Sequence, residues 1–155
     1  MIFKSREEAG RQLVAKLLQY RNDPRGLILA LPRGGVVVGY QLSLALHLSL
    51  DVFITRKIGA PGNLEYAIGA VAETGSRNMN QEAVSAFGLS RYELDRLIHI
   101  QEKEIARRKD LYRQGRQLPQ LTGRTVLLVD DGIATGSTFM ASALAIRNLQ
   151  PHRLV

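Results

Sequence analysis

The feature that most restricts the fold of this chain is an alternation. Short apolar runs end abruptly in glycine or charge, and stretches with helical spacing separate them. Leu27 to Leu31, Asp51 to Thr55, Tyr66 to Glu73 and Thr125 to Val129 read as strands, and Arg153-Leu154-Val155 reads as the start of another. Ser5-Arg6-Glu7-Glu8 has capping-box spacing and opens a helix to about Tyr20, with Leu13, Val14, Leu17 and Leu18 on one face. A second helix is expected from Val36 to about His47. Asn80 caps a short helix to Phe87. Ser90-Arg91-Tyr92-Glu93 is a second capping box that starts a long helix to about Gln114, and a last helix follows Thr138 to about Leu149. Arg56 to Asn63 holds two glycines and a proline and is expected to be a loop.

Strands alternating with helices imply an α/β fold, a central parallel sheet with helices on both faces. Ligands of such sheets bind beyond the carboxyl ends of the strands. Three segments fall at such ends, after Leu31, after Thr55 and after Val129.

With 155 residues the chain makes one domain of ordinary size, and 45% apolar with 23% charged residues excludes wholesale disorder. There is no apolar run long enough for a transmembrane helix and no apolar leader at the N-terminus, so a cytoplasmic protein with no membrane partner is expected. The absence of cysteine excludes disulfides, thiolate metal sites and a cysteine nucleophile. The net charge of +7 suits an anionic partner. Eight Lys/Arg against five Asp/Glu lie between Arg91 and Arg116, a pattern that reads as a solvated helical face. Aromatic residues are 6% of the chain and are not interleaved with that cluster, which disfavours nucleic acid as the partner.

The strongest chemical signal is Val126-Leu127-Leu128-Val129-Asp130-Asp131-Gly132-Ile133-Ala134-Thr135-Gly136-Ser137-Thr138. An apolar strand delivers two adjacent carboxylates to the sheet edge, and a loop of small residues then enters a helix. Small side chains let backbone N–H groups converge on an anion, and the helix start adds partial positive charge. The hydroxyls of Thr135, Ser137 and Thr138 add donors. Two carboxylates just before a phosphate cradle point to a ligand carrying both phosphate and hydroxyls, such as a ribose phosphate. Only three residues separate Gly132 from Gly136 and no lysine follows, so this is not a Walker loop. A second segment, Leu31-Pro32-Arg33-Gly34-Gly35, stops a strand at a cation and two glycines before a helix, another place where backbone can approach an anion.

The segment from Val126 to Thr138 resembles the PRPP-binding signature of type I phosphoribosyltransferases, and the likeness orders the chain from about Leu27 to Val155. It implies a three-layer sandwich about the parallel sheet. The family's fifth strand only begins here at Arg153, so a truncated sheet is expected, either a fragment or one completed by a partner chain. The resemblance also implies a single domain over 1–155 with a helical insertion at about 80–116. It places Asp130 and Asp131 as catalytic carboxylates that bind the ribose hydroxyls and hold Mg²⁺ directly or through them. It places Ile133, Ala134, Thr135, Gly136, Ser137 and Thr138 around the 5′-phosphate. Arg33, Gly34 and Gly35 resemble the pyrophosphate loop of xanthine-guanine enzymes, which is often crossed by a cis peptide. Arg56 and Lys57 would act as catalytic cations on a mobile lid, where two adjacent charges suit a leaving pyrophosphate.

The implied reaction is transfer of the 5-phosphoribosyl group of Mg²⁺-PRPP to a nitrogen acceptor, a nucleobase, with release of pyrophosphate. A homo-oligomer serving nucleotide salvage is the expected setting. The alternative is a non-catalytic PRPP- or nucleotide-sensing regulator on the same fold, with a nucleic-acid-binding version conceivable from the basic surface. In 6-oxopurine enzymes of the family an Asp precedes the Thr-Gly pair; Ala134 stands there in this chain. That favours an adenine-like, uracil-like or non-nucleobase amine acceptor, with Glu65 and Glu73 as candidate replacement carboxylates.

Overall fold

The computed structural model describes residues 3–133 and 136–155. By packing they divide into two compact units, residues 3–53, 118–133 and 146–155 in the first, and 54–117 with 136–145 in the second.

The first unit is built on a parallel sheet. Its strands are β1 (Gly26–Ala30), β2 (Ser49–Val52), β6 (Thr125–Val129) and β7 (Arg153–Leu154), in the order β2-β1-β6-β7. Every residue of β1 and β6 is buried, as expected of strands that read as nearly continuous apolar runs rather than alternating. Helix α2 (Gly34–Leu46) lies on the sheet, and Ile28, Leu127 and Val129 meet Val38, Leu42 and Leu46 in one core cluster. It ends at His47 in the left-handed conformation. Helix α1 (Arg6–Leu17) packs on α2, with Gly10 buried at the contact. A Cβ on Gly10 would come within 2.8 Å of the Gln41 Cβ and 3.0 Å of the Val38 carbonyl, so glycine permits the close crossing.

Ser5 caps α1 by accepting from the Glu8 N–H at 3.1 Å, whereas the Glu8 carboxylate reaches back to the Lys4 N–H at 2.6 Å, one residue short of a reciprocal box. The α-helix gives way at Leu18–Tyr20 to a 3₁₀ turn. Of the apolar face read from the sequence, Val14 and Leu17 pack on the core, while Leu13 and Leu18 are exposed.

The second unit carries an antiparallel sheet, β3 (Thr55–Ala60), β4 (Asn63–Ala72) and β5 (Arg77–Met79), in the order β3-β4-β5. The loop expected over Arg56 to Asn63 is therefore a hairpin: β3 pairs with β4 from Thr55↔Ala72 to Ala60↔Asn63 and turns at Pro61-Gly62. The glycines that read as loop residues serve the pairing instead. Gly62 adopts φ +77° in the turn, and a Cβ on Gly59 would press into the backbone of Leu64 at an irregularity in the ladder. Helix α3 (Gln81–Ala86) is capped by Asn80, and α4 (Arg91–Arg113) opens on a complete reciprocal capping box between Ser90 and Glu93. Ile58, Ala60 and Ile68 of the sheet pack with Ala83 and Ile98 of these helices. Residues 137–145 of α5 (Ser137–Arg147) complete the unit, where Ser142 Oγ lies 2.8 Å from both Thr55 Oγ1 and the Thr138 carbonyl.

On the basic stretch of α4, Arg107 and Arg108 both grip the Glu104 carboxylate, at 2.9 and 2.8 Å, and hold its pKa down to about 2. This depressed value keeps the carboxylate charged, and the pairing intact, until pH falls towards that value. The last residue of α4 behaves differently. Arg113 and Glu73 are both almost wholly buried and face each other as a two-pronged pair, with Nη2 2.9 Å from Oε1 and Nη1 on Oε2. Glu73 Oε1 also accepts from the Ile54 N–H at 2.8 Å, so the pair ties the end of α4 to both strands of the hairpin. Removing the arginine would leave a buried carboxylate unpaired. Arg113→Met is expected to lower stability by about 3–5 kcal/mol, and adding Glu73→Leu to recover most of that loss; urea unfolding of the two variants measures both.

Candidate active site

β1 and β6 are parallel neighbours in register from Gly26↔Thr125 to Ala30↔Val129, so the chain leaves both strands at the same level of the sheet edge. After β1, Leu31 still donates to the Val129 carbonyl at 2.8 Å. The Pro32–Arg33 peptide is cis, and α2 begins at once at Gly34, with Arg33 in the cap position and no side-chain cap on its N–H groups. After β6 come Asp130 and Asp131.

The two turns lie against each other. A Cβ on Gly35 would sit 2.8 Å from the Val129 carbonyl oxygen and 3.0 Å from the Asp130 Cα, and one on Gly34 would overlap the Asp131 carboxylate. The glycine pair is thus required by the closeness of the acidic pair, whatever else it binds. Sequence reasoning identified both segments but not this mutual dependence.

Asp130 and Asp131 occupy different surroundings. Burial pushes the Asp130 carboxyl above the usual aspartate range, and its neighbour's charge adds to the effect. Its Oδ1 accepts from the Asp131 N–H at 2.8 Å. Asp131 is held below the usual range, chiefly by Arg6, whose Nε donates to Oδ2 at 2.6 Å. Arg6 is the first residue of α1 and stands 125 positions from its partner. The sequence marks it only as part of a helix start, and no spacing rule reaches over that distance.

The proposed phosphate loop is described in part. Ala134 and Thr135 lie outside the described residues. Ile133 is exposed. Gly136 adopts φ +77° just before α5, and its carbonyl accepts from Met140. Ser137 opens the helix and borders a cleft of about 190 Å³ with Gly69, Asn78 and Asn80. Thr138 lies in the first turn of α5.

Arg56 and Lys57 stand on β3 rather than on a loop. Successive residues of a strand face opposite ways, and their partners differ accordingly. The Arg56 Nε donates to Gln101 Oε1 of α4 at 3.1 Å, while Lys57 Nζ meets the exposed Glu65 carboxylate at 2.9 Å. Burial, with Arg108 and Arg107 nearby, lowers the Arg56 pKa. The two side chains therefore turn to different partners, although the residues are neighbours in sequence. The Glu73 carboxylate is likewise engaged, by Arg113 and the Ile54 N–H.

Comparison with known proteins shows the family and the fold. The sequence matches the phosphoribosyl transferase domain over residues 2–154, and the chain belongs to that family. It is 40% identical over 146 residues to "Putative phosphoribosyl transferase Rv0571c" of Mycobacterium tuberculosis, a match covering 94% of this chain and 33% of that protein. The chain thus spans about a third of the length of that curated relative. Its fold is similar to the crystal structure of TT1426 from Thermus thermophilus, with TM-score 0.78 and 36% identity over 99% of this chain and 73% of that one. The hypoxanthine phosphoribosyltransferase of Staphylococcus aureus shares the fold at TM-score 0.55 and 14% identity, over 96% of this chain and 59% of that one. Among the described residues, no helix is long and apolar enough to cross a membrane.

The two glycines predict different responses. Gly35→Ala meets backbone atoms that cannot rotate aside and should cost about 1–3 kcal/mol. Gly34→Ala meets the movable ends of Asp131 and Arg6 and should cost less than Gly35→Ala. Urea midpoints of the two variants check the order; an equal or reversed order contradicts the described seating.

Proposed function

We propose that this chain is a phosphoribosyltransferase that takes Mg²⁺-PRPP and transfers its 5-phosphoribosyl group to a nitrogen acceptor. The observation that carries the reading is the seating of Gly34 and Gly35, which follow Arg33, against Asp130 and Asp131 at the ends of adjacent parallel strands. A cationic glycine turn and an acid pair in contact suit a ligand whose pyrophosphate and hydroxyl-bearing sugar are joined at one carbon.

In this reading the Gly34 turn at the start of α2 receives the pyrophosphate. Asp130 and Asp131 take the ribose hydroxyls, and residues 133–138 take the 5′-phosphate. The bond from C1 to the pyrophosphate oxygen breaks with its electron pair leaving on pyrophosphate. The acceptor nitrogen forms the new bond and gives up its proton to water. Positive charge shared between C1 and the ring oxygen in the transition state is stabilised by the nearby carboxylates, so the protein mainly positions groups and stabilises charge.

The donor set suits Mg²⁺, since carboxylate oxygens are hard ligands. Among the described residues no three His, Cys, Asp or Glu gather to cage a metal. Asp130 and Asp131 would therefore share it with substrate oxygens and water. Bound there, it would neutralise charge on the leaving group. Arg56 and Lys57 of β3 are the cations proposed to act in catalysis, with Arg56 also held to Gln101 of α4.

Alanine stands at position 134, and Glu73 is committed to Arg113. An adenine-like, uracil-like or simple amine acceptor fits best, in a salvage role. Pyrophosphate release measured with PRPP, Mg²⁺ and a panel of acceptors tests this; release fastest with guanine or hypoxanthine contradicts the acceptor class. PRPP binding with no turnover on any acceptor favours the regulator instead. Asp130→Asn with Asp131→Asn should weaken PRPP binding by about 1.5–3 kcal/mol per lost charged hydrogen bond, read by calorimetry, while the far-ultraviolet dichroism stays that of the parent.

A further inference from the structure

We propose that Arg6 is a pyrophosphate-binding residue, held on Asp131 until the substrate arrives. The inference rests on the PRPP reading above and adds to it a residue from outside the three sequence segments.

Arg6 touches both halves of the candidate site. Its Nε is 2.6 Å from Asp131 Oδ2, and a Cβ built on Gly34 would come within 2.8 Å of the same nitrogen. The guanidinium therefore lies at the junction of the acid pair and the glycine turn proposed to hold pyrophosphate. Its place is fixed by packing: Gly10 lets α1 cross close over α2, and Ser5 pins the helix start.

Nothing about the helix itself asks for arginine there. The first turn of a helix favours negative charge, which Glu7 and Glu8 supply. A cation at this position is electrostatically misplaced unless it serves something beyond α1.

The pair with Asp131 is also of a kind that exchanges readily. The side chain of Arg6 is 58% exposed and that of Asp131 is 27% exposed, and ion pairs so open to water are held weakly. When ribose hydroxyls or a metal ion engage Asp131, Arg6 loses its partner beside an arriving polyanion. Exchanging a carboxylate for pyrophosphate keeps the charge balanced, and a guanidinium presents paired N–H donors to phosphate oxygens.

Titration calorimetry with Mg²⁺ present tests this on the wild type, Arg6→Gln and Arg6→Lys, with PRPP, pyrophosphate and ribose 5-phosphate as separate ligands. Arg6→Gln should weaken PRPP and pyrophosphate binding by about tenfold to a hundredfold, the loss of one charged contact. Ribose 5-phosphate should change by less than the pyrophosphate-bearing ligands, and Arg6→Lys should restore part of the loss. Equal weakening of ribose 5-phosphate would mean that Arg6 acts only through Asp131, and unchanged pyrophosphate affinity would mean that it never meets the ligand; either overturns the proposal. A wild type that binds none of the three overturns the PRPP reading itself, and this inference with it.

Discussion

The pairing of β1 with β6 is the contact on which the described site depends. Both strands are buried along their whole length and run parallel, with Ala30 opposite Val129. Two segments a hundred residues apart thereby end at one level. The turn after β1 and the turn after β6 have no alternative but to share space. Gly34 and Gly35 accept that crowding because they lack a Cβ, and the acid pair lies directly against them. The chemistry proposed for the site is a consequence of that register: a slip of one residue would turn each side chain to the other face and part the two turns.

Charge is arranged with equal economy around the two carboxylates. Asp131 is open to solvent on one side and is neutralised by Arg6, which favours its ionised form. Asp130 is more enclosed, and burial favours its protonated form. One chemical type at adjacent positions therefore presents two electrostatic characters. The second unit uses charge for a structural end. Arg113 and Glu73 are sealed from water and hold the end of α4 on the hairpin, whereas the arginines of its outer face merely flank Glu104.

What was legible in the sequence was what local chemistry dictates. The apolar runs of β1 and β6, the capping box of Ser90 and Glu93, and the Asn80 cap appear in the structure where their patterns place them. The hairpin was hidden because its glycines mimic loop composition and because the start of β4, from Asn63 to Tyr66, is exposed on both faces, so that its alternating Leu64 and Tyr66 mark no buried side. Strand β5 is three residues, Arg77, Asn78 and Met79, too short and polar to carry a period. Two segments that the sequence marks separately, Gly34-Gly35 and Asp130-Asp131, lie against each other in the fold. Arg56 and Lys57 are neighbours in sequence, but a strand turns their side chains to different partners, which no sequence pattern shows. Arg6 and Arg113 could not be found, since each acts through a partner remote in the chain, 125 and 40 positions away.

The central claim is that the turns after β1 and β6 form one ligand site because the strands hold them in contact. Backbone amide resonances followed by nuclear magnetic resonance during titration with Mg²⁺ and PRPP test it most directly. The account predicts that Arg33, Gly34 and Gly35 shift together with Asp130 and Asp131, along a single saturation curve. Shifts in one turn without the other, or in neither while the ligand binds elsewhere, would contradict it.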